Sequence, residues 1–192
     1  MEIEKTKSNI IVIAALLAFV IGATAVIFLI LRPAQVPENI FICQKQQVPF
    51  RANISSCLAF DVSPSREVLG DAVSTPTAGR VAILMDPNSS GAVGLAAYDI
   101  YKIYKSLEPQ TNIAPGIAYT YHWPEQPLVP NTTIESATFN SPIIWLQLNQ
   151  SESKIVVDGA KIYVYAKTSA DLDAAACLIS IELINRTLGC AE

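Results

Sequence analysis

The sequence predicts a single membrane-spanning α-helix followed by one α/β domain outside the cytoplasm. Three observations carry that expectation. Residues 10–31 (IIVIAALLAFVIGATAVIFLIL) form an apolar run with no charge until Arg32. From Arg80 to Gly189, apolar patterns with strand spacing alternate with patterns of helical spacing. All four cysteines, Cys43, Cys57, Cys177 and Cys190, follow the apolar run and none precedes it.

The run settles the membrane expectation by length. At ~1.5 Å per residue it reaches roughly 33 Å as a helix, enough to cross a bilayer core. It is longer than the apolar core of a cleaved signal peptide, and its closing LILRP lacks a small-x-small cleavage site. An uncleaved signal-anchor is expected, with residues 1–9 as a short cytoplasmic tail. Lys5 and Lys7 precede the run and only Arg32 follows it closely, which favours a cytoplasmic N-terminus. An even number of cysteines confined to the other side suits an oxidising compartment and two disulfides. Asn-X-Ser/Thr occurs at Asn53, Asn88, Asn131, Asn149 and Asn185, whereas Asn140-Ser-Pro is blocked by its proline. Nine asparagines would give about one such match by chance, so five suggest glycan acceptors.

Residues 32–39 (RPAQVPEN) read as a stiff spacer, and residues 40–192 as one extracytoplasmic α/β domain. From Pro33 onward there are 10 Lys/Arg and 15 Asp/Glu, a balance of −5 that argues against nucleic acid or an anionic membrane surface as partner. No repeat, low-complexity tract or long charge run is present.

The domain opens with ENIFICQK as a strand broken at Val48-Pro49-Phe50. Residues 53–61 return as a second strand, setting Cys43 and Cys57 across a hairpin-like loop. Residues 62–79 are turn-rich, with one short helix starting near Ser65. RVAILMD (80–86) is a buried strand. Asp86–Gly91 is a turn with several possible caps, and the spacing of Val93, Ala96, Ala97, Ile100, Ile103, Tyr104 and Leu107 predicts a helix from about Ser90 to Leu107. Residues 112–121 form a strand and HWPEQPLVPN a proline-rich loop. PIIWLQL (142–148), KIVV (154–157) and KIYVYAK (161–167) follow as strands, with Asp158-Gly159 a hairpin-turn signal. Thr168 or Ser169 caps a last helix with Asp171 and Asp173 in its first turn, ending near Leu188 ahead of Gly189.

From Arg80 this is a β-α-β unit, a β-meander and a C-terminal helix, packed as a two- or three-layer sandwich. That order, with Ser141-Pro142 placed before IIWLQL like a cis-proline turn, resembles the thioredoxin-like fold over about residues 80–190. Where that family carries its Cys-x-x-Cys, this chain has Pro87-Asn88-Ser89-Ser90. Disulfide exchange needs a thiolate there, so the resemblance implies a fold and no redox activity.

Local pairing of the cysteines would join Cys43 to Cys57 and Cys177 to Cys190. The second pair meets a geometric obstacle, since thirteen helical residues separate Cα atoms by ~20 Å and a disulfide needs ~7 Å or less. Either the helix ends early, or Cys177 and Cys190 each bond the N-terminal pair, or Cys177 stays a buried thiol.

His122 is the only histidine, which excludes most zinc sites, and Asp158, Asp171 and Asp173 are not spaced as a calcium loop. No cofactor pattern occurs. A hydrolytic set can be written from Ser89 or Ser90, His122 and Asp86, but Gly-x-Ser-x-Gly is absent and helix capping accounts for the serines. Tyr98, Tyr101 and Tyr104 are read on one side of the first long helix, and Tyr119, Tyr121, Tyr163 and Tyr165 as a half-buried sheet face. Gly22–Ala25 offers the anchor small residues for close helix contact without a full Gly-x-x-x-Gly. The expected role is that of a non-catalytic accessory or protein-interaction module, with the lipid bilayer held through residues 10–31 and a membrane or cell-surface protein as partner. A membrane-tethered enzyme and a structural component of a surface assembly are the alternatives.

Overall fold

The computed structural model describes residues 37–74 and 79–190. Residues 10–31, read as the anchor, lie outside them, and no helix among the described residues is long and apolar enough to cross a membrane.

The chain begins with a hairpin, β1 (Ile40–Cys43) against β2 (Gln46–Pro49), turned at Gln44-Lys45 with φ of 46° and 69°. Two positive φ angles give the turn whose twist suits a two-residue hairpin, but without the Asn-Gly or Asp-Gly that announces it in a sequence. The expected strand at 53–61 is instead helical. Asn53 accepts a hydrogen bond from the Ser55 N–H at 2.9 Å and starts α1 (Ile54–Leu58). Cys43 and Cys57 therefore do not face each other. Next come the short strand β3 (Val62–Ser63), a cis Ser63–Pro64 peptide, and α2 (Arg66–Ser74).

The main elements follow the predicted order. They are β4 (Arg80–Met85), α3 (Gly91–Thr111), β5 (Ala114–Tyr119), β6 (Ile143–Leu148), β7 (Lys154–Asp158), β8 (Lys161–Ala166) and α4 (Ser169–Leu188). Helix α3 runs one turn past Leu107, through Pro109, to Asn112 in the left-handed conformation at φ 54°. The β7–β8 turn sits where Asp158-Gly159 announced it, with Gly159 at φ 58°. Thr168 and Asp171 form a reciprocal capping box on α4, which ends at Gly189 with φ 64°.

The six-stranded sheet has the order β3-β7-β8-β6-β4-β5. Strand β4 is parallel to β5 and β6, β6 is parallel to β8, and β3 to β7; β7–β8 is the antiparallel pair. The expected meander is thus absent, because β6 lies between β4 and β8 instead of pairing with β7. Its composition explains this position: Ile143, Ile144 and Leu146 are all buried, so both faces need cover and both edges need neighbours. The Ser141–Pro142 peptide is trans, the cis bond being Ser63–Pro64. The order of elements is as expected, the strand pairing differs from a meander, and the fold is an α/β domain with a mixed sheet.

Strand alternation splits the sheet into two faces. Val81 and Ile83, Ile144 and Leu146, Ile155 and Val157, and Ile162 and Val164 join buried residues of all four helices in one core. On the other face, Leu84, Ala118 and Ile143 form a small cluster with Ile134 from a 3-10 turn in the β5–β6 connection. The domain has two layers, with α1 to α4 on one face of the sheet. Tyr104 belongs to the first core, fully buried, while Tyr98 is 52% exposed, so the three α3 tyrosines do not share a side. Six residues of helix turn the chain by about 240° beyond a full revolution, leaving the two about 120° apart.

Two disulfides lock the helix layer. Cys43 bonds Cys190 and Cys57 bonds Cys177, each with Cα atoms 5.7 Å apart, across sequence separations of 147 and 120 residues. This is the arrangement in which α4 stays continuous while Cys177 within it and Cys190 just past it each reach the N-terminal segment.

The double variant Cys57→Ser, Cys177→Ser should lose about 2–5 kcal/mol of unfolding free energy in denaturant titration. The Tyr104 hydroxyl donates to the Val73 carbonyl at 2.8 Å, and burial holds the phenol protonated far above its ordinary range. Tyr104→Phe keeps the ring but leaves that carbonyl without its donor, and should cost about 1–3 kcal/mol in the same titration.

Candidate functional site

Ligand clefts in open α/β sheets lie outside the carboxyl ends of parallel strands, where successive connections diverge. Here β4 and β6 end side by side. The chain leaves β4 through Asp86–Ser90, a turn closed by the Asp86 carboxylate accepting the Asn88 N–H at 2.8 Å and the Asp86 carbonyl accepting the Ser89 N–H at 2.9 Å. Ser90 is the N-cap of α3, but its hydroxyl makes no capping bond. The chain leaves β6 through Asn149, at φ 63°, and Gln150. Between the two exits is an open cavity of about 290 Å³, lined by the turn and by Trp145–Gln150. The Gln147 Nε2 is buried and has no hydrogen-bond partner among the described residues.

Asp86, Ser89 and Ser90 line this cleft, and His122 does not. His122 is exposed in the loop after β5, with no hydrogen bond to any of the three. A general base must reach the proton it takes, so the nucleophile, base and acid written from the sequence are not assembled. The neighbouring Trp123 packs edge-to-face on Tyr119, centroids 5.7 Å apart, while the Tyr119 hydroxyl donates to Gln126 at 2.6 Å. That loop is held against the domain edge by its aromatic and amide contacts. Tyr121 adds to this by accepting from the Asn88 side chain.

A second feature emerges only from register. Trp145 lies beside Tyr163, and Gln147 beside Tyr165, across the parallel β6–β8 pair. All four point to the face opposite α1 to α4. Trp145 and Tyr163 are tilted rings 6.1 Å apart, and Tyr163 and Tyr165 are stacked 6.1 Å apart with planes 3° from parallel. The β5–β6 connection packs Ile134 over β4, β5 and β6, Trp145 and Tyr163 lie against that cluster, and the row is half-buried. Tyr163 and Tyr165 stand out in the sequence by their alternation, whereas Trp145 joins them only through pairing.

A third hollow, of about 580 Å³, separates α1 from the first turn of α4; Arg51, Asn53, Asp61, Ser153, Asp171 and Asp173 line it together with Phe60 and several alanines. Arg51 bonds Asp99 at 2.7 Å and lies 4.0 Å from Asp173. Desolvation pushes the Asp173 carboxyl up, Arg51 opposes it and Asp99 adds to it. For Asp171, desolvation is outweighed by hydrogen bonds from Thr168 and Ser153, which hold the carboxyl below its ordinary value. No group of His, Cys, Asp and Glu among the described residues could hold a metal ion.

The sequon asparagines divide between these places. Asn88 and Asn149 line the first cleft, and Asn131 bridges to Tyr119 at the end of β5. Asn53 caps α1 at the hollow beside α4, and Asn185 lies within α4.

The capping box generates a pH prediction. A carboxyl lowered in the folded state stabilises above its unfolded value, and that contribution is lost as pH falls through the folded one. Asp171→Ala should cost about 1 kcal/mol near neutral pH, and the gap from the unmodified protein should narrow below about pH 4 in pH-dependent thermal unfolding.

Comparison of the chain with protein-family models, with curated proteins and with solved structures finds no match.

Proposed function

We propose that this is a bitopic membrane protein whose disulfide-bonded α/β domain lies outside the cytoplasm and binds another protein without turning over a substrate. The anchor rests on the length and apolarity of residues 10–31. The placement rests on the cysteines: all four pair, and paired cysteines persist in oxidising compartments. The observation that carries the binding role is the half-buried row Trp145, Tyr163 and Tyr165 on the face opposite α1 to α4. Tryptophan and tyrosine offer large contact area at low conformational cost and a polar tip that tolerates water before the partner arrives. Flanking Lys154 and Lys161 supply a charged rim on the same face.

Cross-linking in native membranes, followed by affinity purification of the full-length protein and mass spectrometry, tests this reading. A stoichiometric hetero-partner is expected. Tyr163→Ser with Tyr165→Ser should weaken its capture by about 30-fold, the effect of losing about 2 kcal/mol at the centre of an interface. Recovery of self-cross-links alone would replace the reading with a surface assembly. Capture unaffected by the double substitution would remove the aromatic row from the interface.

A further inference from the structure

We propose that Asn88, Asn131 and Asn149 carry N-linked glycans and that Asn53 and Asn185 do not. This rests on the extracytoplasmic placement proposed above. In the transfer, the acceptor Nδ2 attacks the anomeric carbon of an oligosaccharide carried on a lipid-linked phosphate or pyrophosphate. The carbon–nitrogen bond forms as the carbon–oxygen bond to phosphate breaks. The lipid phosphate leaves with the electron pair, and the amide gives up one proton. The asparagine and the hydroxyl two residues on must both be presented at the surface.

Three sequons meet that condition. Asn88 and Ser90 are both exposed in the turn before α3, and the Ser90 hydroxyl is not committed to the helix cap. The Asn88 Nδ2 donates to Tyr121, and a glycosylated amide keeps one N–H for that contact. Asn131 and Thr133 are exposed in the β5–β6 connection, and Asn149 and Ser151 in the β6–β7 connection.

The other two are occupied by the fold itself. The Asn53 carboxamide oxygen accepts from the Ser55 N–H at 2.9 Å and from the Ser55 hydroxyl at 2.7 Å, while its nitrogen donates to Glu38. Acceptor and hydroxyl are thus bonded to each other at the start of α1. Asn185 and Thr187 lie in α4 with the Asn185 Oδ1 and Thr187 Oγ1 both buried.

The three open sequons share one edge. Strands β6, β4 and β5 are adjacent and parallel, so their carboxyl ends lie together. Asn88 follows Met85 closely, Asn131 bridges to Tyr119, and Asn149 directly follows Leu148. Asn88 and Asn149 both line the same cavity of about 290 Å³.

The test uses full-length protein from native membranes, with cysteines alkylated before and after reduction and all five sequons read as intact glycopeptides by mass spectrometry. Expected are oxidised cysteines, modified Asn88, Asn131 and Asn149, and unmodified Asn53 and Asn185. With the cysteines oxidised, an unmodified member of the first set or a modified member of the second overturns the inference and leaves the placement standing. Free thiols at all four cysteines overturn the placement itself.

Discussion

Helix α4 is buried along almost every residue from Leu172 to Ile184, and a helix apolar on all sides has to be enclosed on all sides. The rest of the domain can be derived from that requirement. The sheet lies beneath α4, α3 packs along one flank, and α1 and α2 pack along the other. Both disulfides attach to this helix or to the residues just past it, so the N-terminal segment is bound to it covalently at two points. The one charged residue buried in the core of the described structure, Glu182, is also on α4. Arg66 of α2 holds it with bonds of 2.9 and 2.6 Å, which keeps a carboxylate tolerable at 6% exposure. Gly70 leaves the room for that contact: a Cβ there would lie 2.8 Å from the Arg186 guanidinium and 3.2 Å from Glu182.

Placing α1 to α4 on one face decides what the other face can do. The β5–β6 connection crosses that face: Ile134 packs over Leu84, Ala118 and Ile143, Trp145 and Tyr163 pack against the same cluster, and Phe139 lies beside the Gly159 turn. On this face β6 and β8 present half-buried aromatic side chains in a row set by their parallel register. The parallel arrangement also gathers the exits of β4, β5 and β6 at one edge, which is why the turn before α3 meets Asn149 and Gln150. The same arrangement separates the pieces of a hydrolytic site. Asp86, Ser89 and Ser90 are held in the turn by backbone hydrogen bonds, while His122 leaves on the neighbouring loop, beside a tryptophan anchored to Tyr119.

Much of this was legible along the chain. The apolar periods of β4, α3, β6, β8 and α4 announced those elements, Gly159 and Gly189 marked their turns, and Thr168 with Asp171 marked the start of α4. These are local signals, because a strand alternates, a helix repeats every 3.6 residues, and a left-handed turn asks for glycine. The β1–β2 turn was hidden because Gln44 and Lys45 adopt positive φ without the usual residue types. Residues 54–58 read as a strand because a helix of five residues is too short to show a period.

Composition and local pattern were enough for an α/β domain, its main elements, and the contrast between buried and exposed strand faces. They also restricted the cysteine pairing, since a continuous helix cannot bring Cys177 to Cys190. Which strand lies beside which was decided in three dimensions. Burial on both faces drew β6 into the centre of the sheet, and no pattern within one strand can report its neighbours. The aromatic row, the cleft between β4 and β6, and the division of the five sequons into open and closed sites all follow from that pairing. Each depends on residues far apart in the chain whose proximity is set by packing around α4.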